Sequence, residues 1–322
     1  MLVVYHQGAL QNVDLASYCS DIEGLTLEPV STADELVNAV ERADILMLNS
    51  PLYTTALLER LKGPEARTRF LQFSSAGYDT ADILGVPRGV RLSNGATVWA
   101  PHVAEHTIAL ILGAMRALPY LERERAATRW AKPAVLPRLA FLDGAKVGLI
   151  GFGTIGKEIG RRLKSFNAQV HAIVRRVEAS DIADHVHSIA DIRTVLPELD
   201  VLVACLPHSN STTRLIDASW FAAMKEGSIF VNVGRGAVVD EEALAAALSS
   251  GHLASAGLDV FAREPLDPAS PLWSFEDIII TPHVASNGGK GGLQRLLDLC
   301  RANILAIMND QPILNEVVLP ER

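Results

Sequence analysis

The chain has 322 residues, of which 49% are apolar and 20% charged, with a formal net charge of −8. That length and apolar content exceed what one core usually fills, so two domains are expected. The acidic balance argues against nucleic acid or an anionic membrane surface as a partner, because neither phosphate backbones nor acidic headgroups attract such a protein.

Taken in chain order, Met1-Leu2-Val3-Val4-Tyr5-His6 reads as a strand and lacks the basic segment and long apolar run of a secretory leader. Leu2–Tyr5, Leu25–Val30, Asp44–Leu48, Phe70–Phe73 and Val90–Leu92 form a first series of short β runs. Between them lie helical patterns, Ala33–Arg42 with Ser31 or Thr32 as N-cap and Thr55–Leu61 ended by Gly63-Pro64. The apolar helix around Thr107–Leu118 follows Glu105 and His106 and contains Arg116, so it is too short and too polar to span a bilayer. From Lys146 a second series begins: Val147–Ile150, Gln169–Val174, Val201–Cys205, Ser228–Val233, Ser255–Val260 and Asp277–Ile280. Strands alternating with helices predict parallel α/β sheets, and six such runs match a doubly wound dinucleotide fold. Leu293–Met308 closes the pattern as one amphipathic helix, with Leu296, Leu299, Cys300, Asn303, Ile304 and Ile307 at helical spacing. Cys19, Cys205 and Cys300 are odd in number and far apart, which suggests buried thiols in a reducing cytoplasm and neither a disulfide framework nor a metal site.

The run Lys146–Ile150 leads directly into Gly151-Phe152-Gly153-Thr154-Ile155-Gly156 and then into a helical pattern through Phe166. In that context each glycine has a task. Gly151 permits the turn, Gly153 lets backbone approach a pyrophosphate, and Gly156 lets the helix pack on its strand, while the helix N-terminus offers its free N–H groups. The next strand ends Ile173-Val174-Arg175-Arg176, where an NAD site carries an acid for the ribose hydroxyls. With no acid there and two guanidinium groups instead, NADP(H) is the expected cofactor and NAD(H) the lesser one; the alternative is a solvated basic loop.

Three strand exits in the last third carry polar groups. Phe230–Val233 leads to Gly234-Arg235-Gly236, Gly257-Leu258-Asp259 leads to Glu264-Pro265, and Ile278–Ile280 leads to Thr281-Pro282-His283. In open α/β sheets ligands bind outside the carboxyl ends of the strands, so the three can converge. Reduction of a 2-keto acid needs such a set. An imidazolium donates a proton to the carbonyl oxygen, and an arginine holds the carboxylate while polarising the carbonyl. A carboxylate beside the imidazole orients it and favours its protonated form. His283 is therefore assigned as general acid/base, Glu264 as its partner, and Arg235 as substrate clamp.

The segments around Gly151–Gly156, Asn232–Asp240, Leu258–Pro265 and Thr281–Ser286 resemble those of the D-isomer-specific 2-hydroxyacid dehydrogenase family, over about Phe73–Met308. The resemblance implies a Rossmann-type doubly wound parallel sheet inserted into a smaller flavodoxin-like α/β substrate domain. On this chain that gives residues 99–287 as the dinucleotide-binding domain and residues 1–98 with 288–322 as the substrate domain. It further implies that Ala76 and Gly77, in Ser74-Ser75-Ala76-Gly77-Tyr78-Asp79, face the substrate carboxylate, and that Cys205, Leu206, Pro207, Val233, Gly234 and Asp259 line the nicotinamide side. Asp259 would receive the carboxamide; its competing account is a strand-end acid satisfying nearby backbone. Asn167 stands where the family commonly has glycine. Tyr53 and Trp130 resemble specificity-determining positions, with packing as the competing account for both.

The expected activity is reduction of glyoxylate, hydroxypyruvate or a similar short 2-keto acid to the D-hydroxy acid, by a cytoplasmic homodimer. A phosphoglycerate dehydrogenase-like enzyme is the alternative within the class, expected here without the regulatory domain of its larger members. A cofactor-sensing protein like the co-repressors built on this fold is the alternative outside it.

Overall fold

The computed structural model describes residues 1–287 and 290–319. The chain divides into two units, Met1–Trp99 with Gly288–Arg322, and Ala100–Asn287.

In the first unit, β1 (Leu2–His6), β2 (Thr26–Val30), β3 (Ile45–Leu48), β4 (Phe70–Phe73) and β5 (Arg91–Ser93) form a sheet of order β2-β1-β3-β4-β5, parallel throughout. This is the flavodoxin-like order. Alternate residues serve opposite faces: Val4, Leu46 and Leu71 lie in one core, Val3, Ile45 and Phe70 in the other. A parallel strand covered on both faces is apolar along its whole length, which is why these runs read as continuous rather than alternating. The Ala33–Ala39 helix starts on Thr32, which forms a capping box with Glu35. The Lys290–Met308 helix sets Leu296, Leu299, Cys300 and Ile304 into the second of these cores. Its buried Asn303 donates to Gln72 at 2.7 Å and accepts from the Leu314 N–H at 2.7 Å, which pins the following segment to the sheet.

In the second unit, β6 (Lys146–Ile150), β7 (Gln169–Val174), β8 (His185–Ser188), β9 (Val201–Ala204), β10 (Ser228–Asn232), β11 (Leu253–Leu258) and β12 (Ile279–Ile280) form a parallel sheet of order β12-β11-β10-β9-β6-β7-β8. Numbered within the unit, that is the doubly wound order 3-2-1-4-5-6 with a seventh strand outside the sixth. The sequence predicts six of the seven. β8 escapes because His185-Val186-His187-Ser188 is short, polar and at the sheet edge. Helix Thr154–Lys164 buries Gly156, Ile159, Gly160 and Leu163, one face at helical spacing, against the sheet. Asn167 has a φ of +57°, the left-handed region where glycine or asparagine serves best, which accounts for asparagine in a glycine position. No helix of the described residues is long and apolar enough to cross a membrane.

Candidate active site

The glycine loop sits where β6 ends, beside the strands on either side of it in the sheet. Gly151 has a φ of +91°, and a Cβ there would come within 2.9 Å of the Cys205 carbonyl oxygen. A Cβ on Gly156 would lie 2.2 Å from the Gly151 carbonyl oxygen, so only glycine lets the helix start so close to the loop. At Gly153 a Cβ would meet nothing within 4 Å. That glycine answers to the space it faces rather than to a protein neighbour, and the helix following it has no side-chain cap for its first N–H groups. An open cradle bounded by backbone and an uncapped helix N-terminus fits a pyrophosphate.

A groove of about 650 Å³ opens beside this cradle, lined by Gly151, Phe152 and Gly153 on the loop and by Leu206 and Pro207 after β9. Its far side is the end of β7, where the exposed Arg175 and Arg176 contribute two guanidinium groups and no lining residue contributes a carboxylate. Thr154 and Ile155 follow in the first helical turn. Cys205 turns toward the loop from beneath. Its thiol is shared between the carbonyls of Gly151 (2.8 Å) and Ile150 (3.2 Å), and burial of the sulfhydryl pushes its pKa up to about 12. Such a thiol is a backbone strut and not a nucleophile.

Arg235 stands where β10 leaves the sheet. The buried Asn232 holds that turn at both ends, accepting from Gly234 N–H at 3.1 Å and donating to Arg235 O at 3.2 Å. Val233 and Gly234 are buried beside it. A Cβ on Gly236 would fall 1.8 Å from the Phe261 carbonyl carbon, so the arginine turn presses directly on the exit from β11. That exit carries Glu264, whose Oε1 accepts the Phe261 N–H at 3.0 Å and whose Oε2 lies 2.7 Å from His283 Nδ1. With Nδ1 held by a carboxylate, proton exchange with a substrate falls to Nε2.

His283 has a φ of +52°, a conformation that costs a residue with a side chain roughly 1–2 kcal/mol. Asp259, at 1% exposure, offsets that cost. Its carbonyl accepts the His283 N–H at 2.8 Å. Its carboxylate accepts the Val284 N–H at 2.9 Å, the Ala285 N–H at 3.0 Å and the Thr281 hydroxyl at 2.6 Å. Burial alone would raise the pKa of Asp259, but hydrogen bonds from His106, Thr281 and the two backbone N–H groups outweigh it and hold the carboxyl below its ordinary value. The structure therefore uses this acid to satisfy nearby backbone. His106, part of the same network, was given no role by sequence reasoning; it lies 175 residues from Thr281, and no local spacing links the two.

In the other unit the Ser74–Asp79 loop is held by its own acceptors. Asn94 donates to Ala76 O at 2.8 Å, Ser75 Oγ to Gly77 O at 2.8 Å, and Trp99 Nε1 to Ser74 O at 2.6 Å. Tyr53 is fully buried against Phe73 and donates to Gly85 O at 2.8 Å, so packing is what it does in this unit. Trp130 is 90% exposed. Among the described residues no group of three histidines, cysteines or acids is arranged to hold a metal ion.

Residues 108–285 match the family model for the D-isomer specific 2-hydroxyacid dehydrogenase, NAD binding domain. The chain is 30% identical over 297 residues to a glyoxylate reductase of Thermofilum pendens, covering 90% of this chain and 86% of that one. It is 31% identical over 278 residues to a D-3-phosphoglycerate dehydrogenase of Mycobacterium bovis, but those cover 86% of this chain and only 52% of the relative, so the chain spans about half of that protein. A crystal structure of a D-isomer specific 2-hydroxyacid dehydrogenase family protein from Aeromonas salmonicida superposes with a TM-score of 0.81 at 27% identity, covering 98% of each chain. With a strand order, a glycine cradle and a family model that agree, the chain belongs to the D-isomer specific 2-hydroxyacid dehydrogenases, NAD(P)-dependent oxidoreductases acting on the CH–OH group.

Proposed function

We propose that this enzyme reduces a short 2-keto acid of the glyoxylate or hydroxypyruvate kind, with NADP(H) preferred over NAD(H), and with His283, Glu264 and Arg235 as its catalytic residues. The 2.7 Å contact between His283 Nδ1 and Glu264 Oε2 is the observation that carries the reading. It makes a histidine on a fixed turn competent to hold a proton on Nε2 and release it to a carbonyl oxygen as negative charge develops there. Arg235, on the adjoining turn, supplies the cation that holds the substrate carboxylate and polarises the carbonyl. Ala76 and Gly77 are assigned to carboxylate binding through their backbone N–H groups. Asp259 keeps the acid/base histidine in place, and Cys205, Leu206, Pro207, Val233 and Gly234 are assigned to the nicotinamide side.

When bound, the reduced nicotinamide supplies the hydride. Gly151, Phe152, Gly153, Thr154, Ile155 and Gly156 would hold the pyrophosphate with their backbone, and Arg175 and Arg176 would hold a 2′-phosphate. Two guanidinium groups with no carboxylate along the groove favour the phosphorylated cofactor, because an acid there would repel it. A homodimer built on the second unit is supported by Leu118, Trp130, Leu136 and Phe141, each more than half exposed within one stretch of that unit. The three free cysteines suit a reducing cytoplasm.

The test is the initial rate of NADPH and NADH oxidation with 2-keto acids from glyoxylate to phenylpyruvate, on the natural chain and on Arg175→Asp. Charge-assisted contacts of this kind make the expected loss of NADPH preference on the order of tenfold or more. An unchanged preference would remove the 2′-phosphate assignment. Cofactor binding without turnover of any keto acid would favour the sensing role instead.

A further inference from the structure

The helix Ala96–Met115 carries His106, a partly buried residue whose Nε2 lies 3.0 Å from Thr281 Oγ1 and 3.5 Å from Asp259 Oδ1. The hydroxyl of Thr281 has one proton, and at 2.6 Å it goes to the Asp259 carboxylate. Thr281 is therefore an acceptor toward His106, which fixes the imidazole with its proton on Nε2. Donation then runs one way, from His106 to Thr281 to Asp259.

The end of that chain is the backbone that presents His283. Asp259 accepts the N–H groups of His283, Val284 and Ala285, three consecutive residues of which the first has a left-handed φ. Oδ1 takes both the Thr281 hydroxyl and the Val284 N–H, so the direction of the hydroxyl and the tilt of the carboxylate are coupled. With the His106 proton gone, the Thr281 rotor has no donor to align it. The tilt of the carboxylate then changes, and the Val284 and Ala285 N–H groups it holds shift with it, next to the His283 N–H that the Asp259 carbonyl holds.

We propose that His106 is a positioning residue for the reaction, acting through Thr281 and Asp259 to set the turn that aims His283 at Glu264. This rests on the assignment of His283 as acid/base. His106 itself need not touch substrate or cofactor. Its effect is expected in turnover and in the environment of the His283 ring, with cofactor affinity spared.

The experiment compares full-length His106→Leu, His106→Gln and Thr281→Val with the natural chain. Three readouts are taken: kcat against pH with NADPH and glyoxylate, the NADPH dissociation constant, and the His283 imidazole resonances, assigned by their loss in His283→Asn. His106→Leu is expected to lower kcat on the order of tenfold, since small misplacements of a reacting group carry losses of that size or larger. Its kcat–pH profile should differ from that of the natural chain, because the proton-carrying ring is no longer presented in the same place. NADPH affinity should stay within about twofold, and the His283 resonances should shift. Glutamine, whose side-chain N–H can donate to Thr281, should recover most of the turnover and the wild-type resonances. Thr281→Val should reproduce the leucine variant, and it carries the test if that variant does not fold. Wild-type kcat, pH profile and His283 resonances in both His106→Leu and Thr281→Val would overturn the proposal, as would a glutamine variant no better than leucine. Shifted resonances in a chain that turns over no keto acid would support the positioning role and count against the functional reading, so the two fail separately.

Discussion

Two regions of the second unit are made rigid by opposite means. The glycine loop after β6 is defined by missing atoms: a Cβ at Gly156 would strike the Gly151 carbonyl at 2.2 Å, and at Gly153 there is open space. The His283 turn is defined by added partners, with one buried carboxylate holding a hydroxyl and two N–H groups and its own carbonyl holding a third. A binding surface for phosphate can be left to bare backbone, because the anion needs only donors and room. A group that must deliver a proton to one atom needs its direction fixed, and that takes side chains. The two regions are therefore expected to fail differently, the first by losing the cofactor and the second by losing turnover.

The largest expected effect on cofactor binding breaks the first region alone. Gly156→Val places atoms inside the contact between helix and loop, where backbone would have to move. NADPH affinity, read by fluorescence titration, should fall on the order of a hundredfold or more, a loss of about 3 kcal/mol. Affinity within twofold of the natural chain would mean that the cradle is not what holds the phosphates.

A smaller effect sharpens the contrast from outside both regions. β7 carries Arg175 and Arg176 at its exit, and near its start lies His171, 5% exposed, with Nδ1 3.1 Å from His187 Nε2 and Nε2 buried without a partner. Burial first, then His185, His187 and Lys146, lower its pKa to about 4, against an opposing pull from Glu198. Between pH 6.5 and about 4 the unfolded chain takes up a proton that the folded chain refuses, so stability falls as the pH falls through that window. Urea unfolding at pH 7 and pH 5 should differ by about 2 kcal/mol from this group. His171→Phe should remove that part of the difference, and an equal pH dependence in the variant would contradict the assignment.

Much of this was legible in the sequence, and the parts that were not share a cause. The apolar runs betray the inner strands because burial on both faces demands continuous hydrophobicity, and the glycine spacing betrays the cradle because each constraint acts within six residues. Arg235, Glu264 and His283 were legible as polar groups leaving apolar strands, and the structure sets the last two in contact. β8 was missed because its four residues, three of them polar, pair with β7 at an edge, where pairing shows only in three dimensions. β11 begins at Leu253 rather than Ser255, and β12 is only Ile279–Ile280, since strand ends are set by neighbours and not by composition. Tyr53 follows a loop motif yet is wholly buried against Phe73. The contact of His106 with Thr281 is the clearest case: it is made by two elements brought together by the sheet, so nothing near either residue announces it.

The central claim is that His283, held by Glu264, moves the proton in reduction of a keto acid. The most direct measurement is kcat for NADPH-driven reduction of glyoxylate by the natural chain, His283→Asn and Glu264→Gln, with the NADPH dissociation constant of each. The account predicts turnover by the natural chain, a fall on the order of 10²–10⁴ in both variants, and cofactor affinity within about twofold. Near-full turnover in either variant, with the cofactor bound as tightly as before, would contradict it.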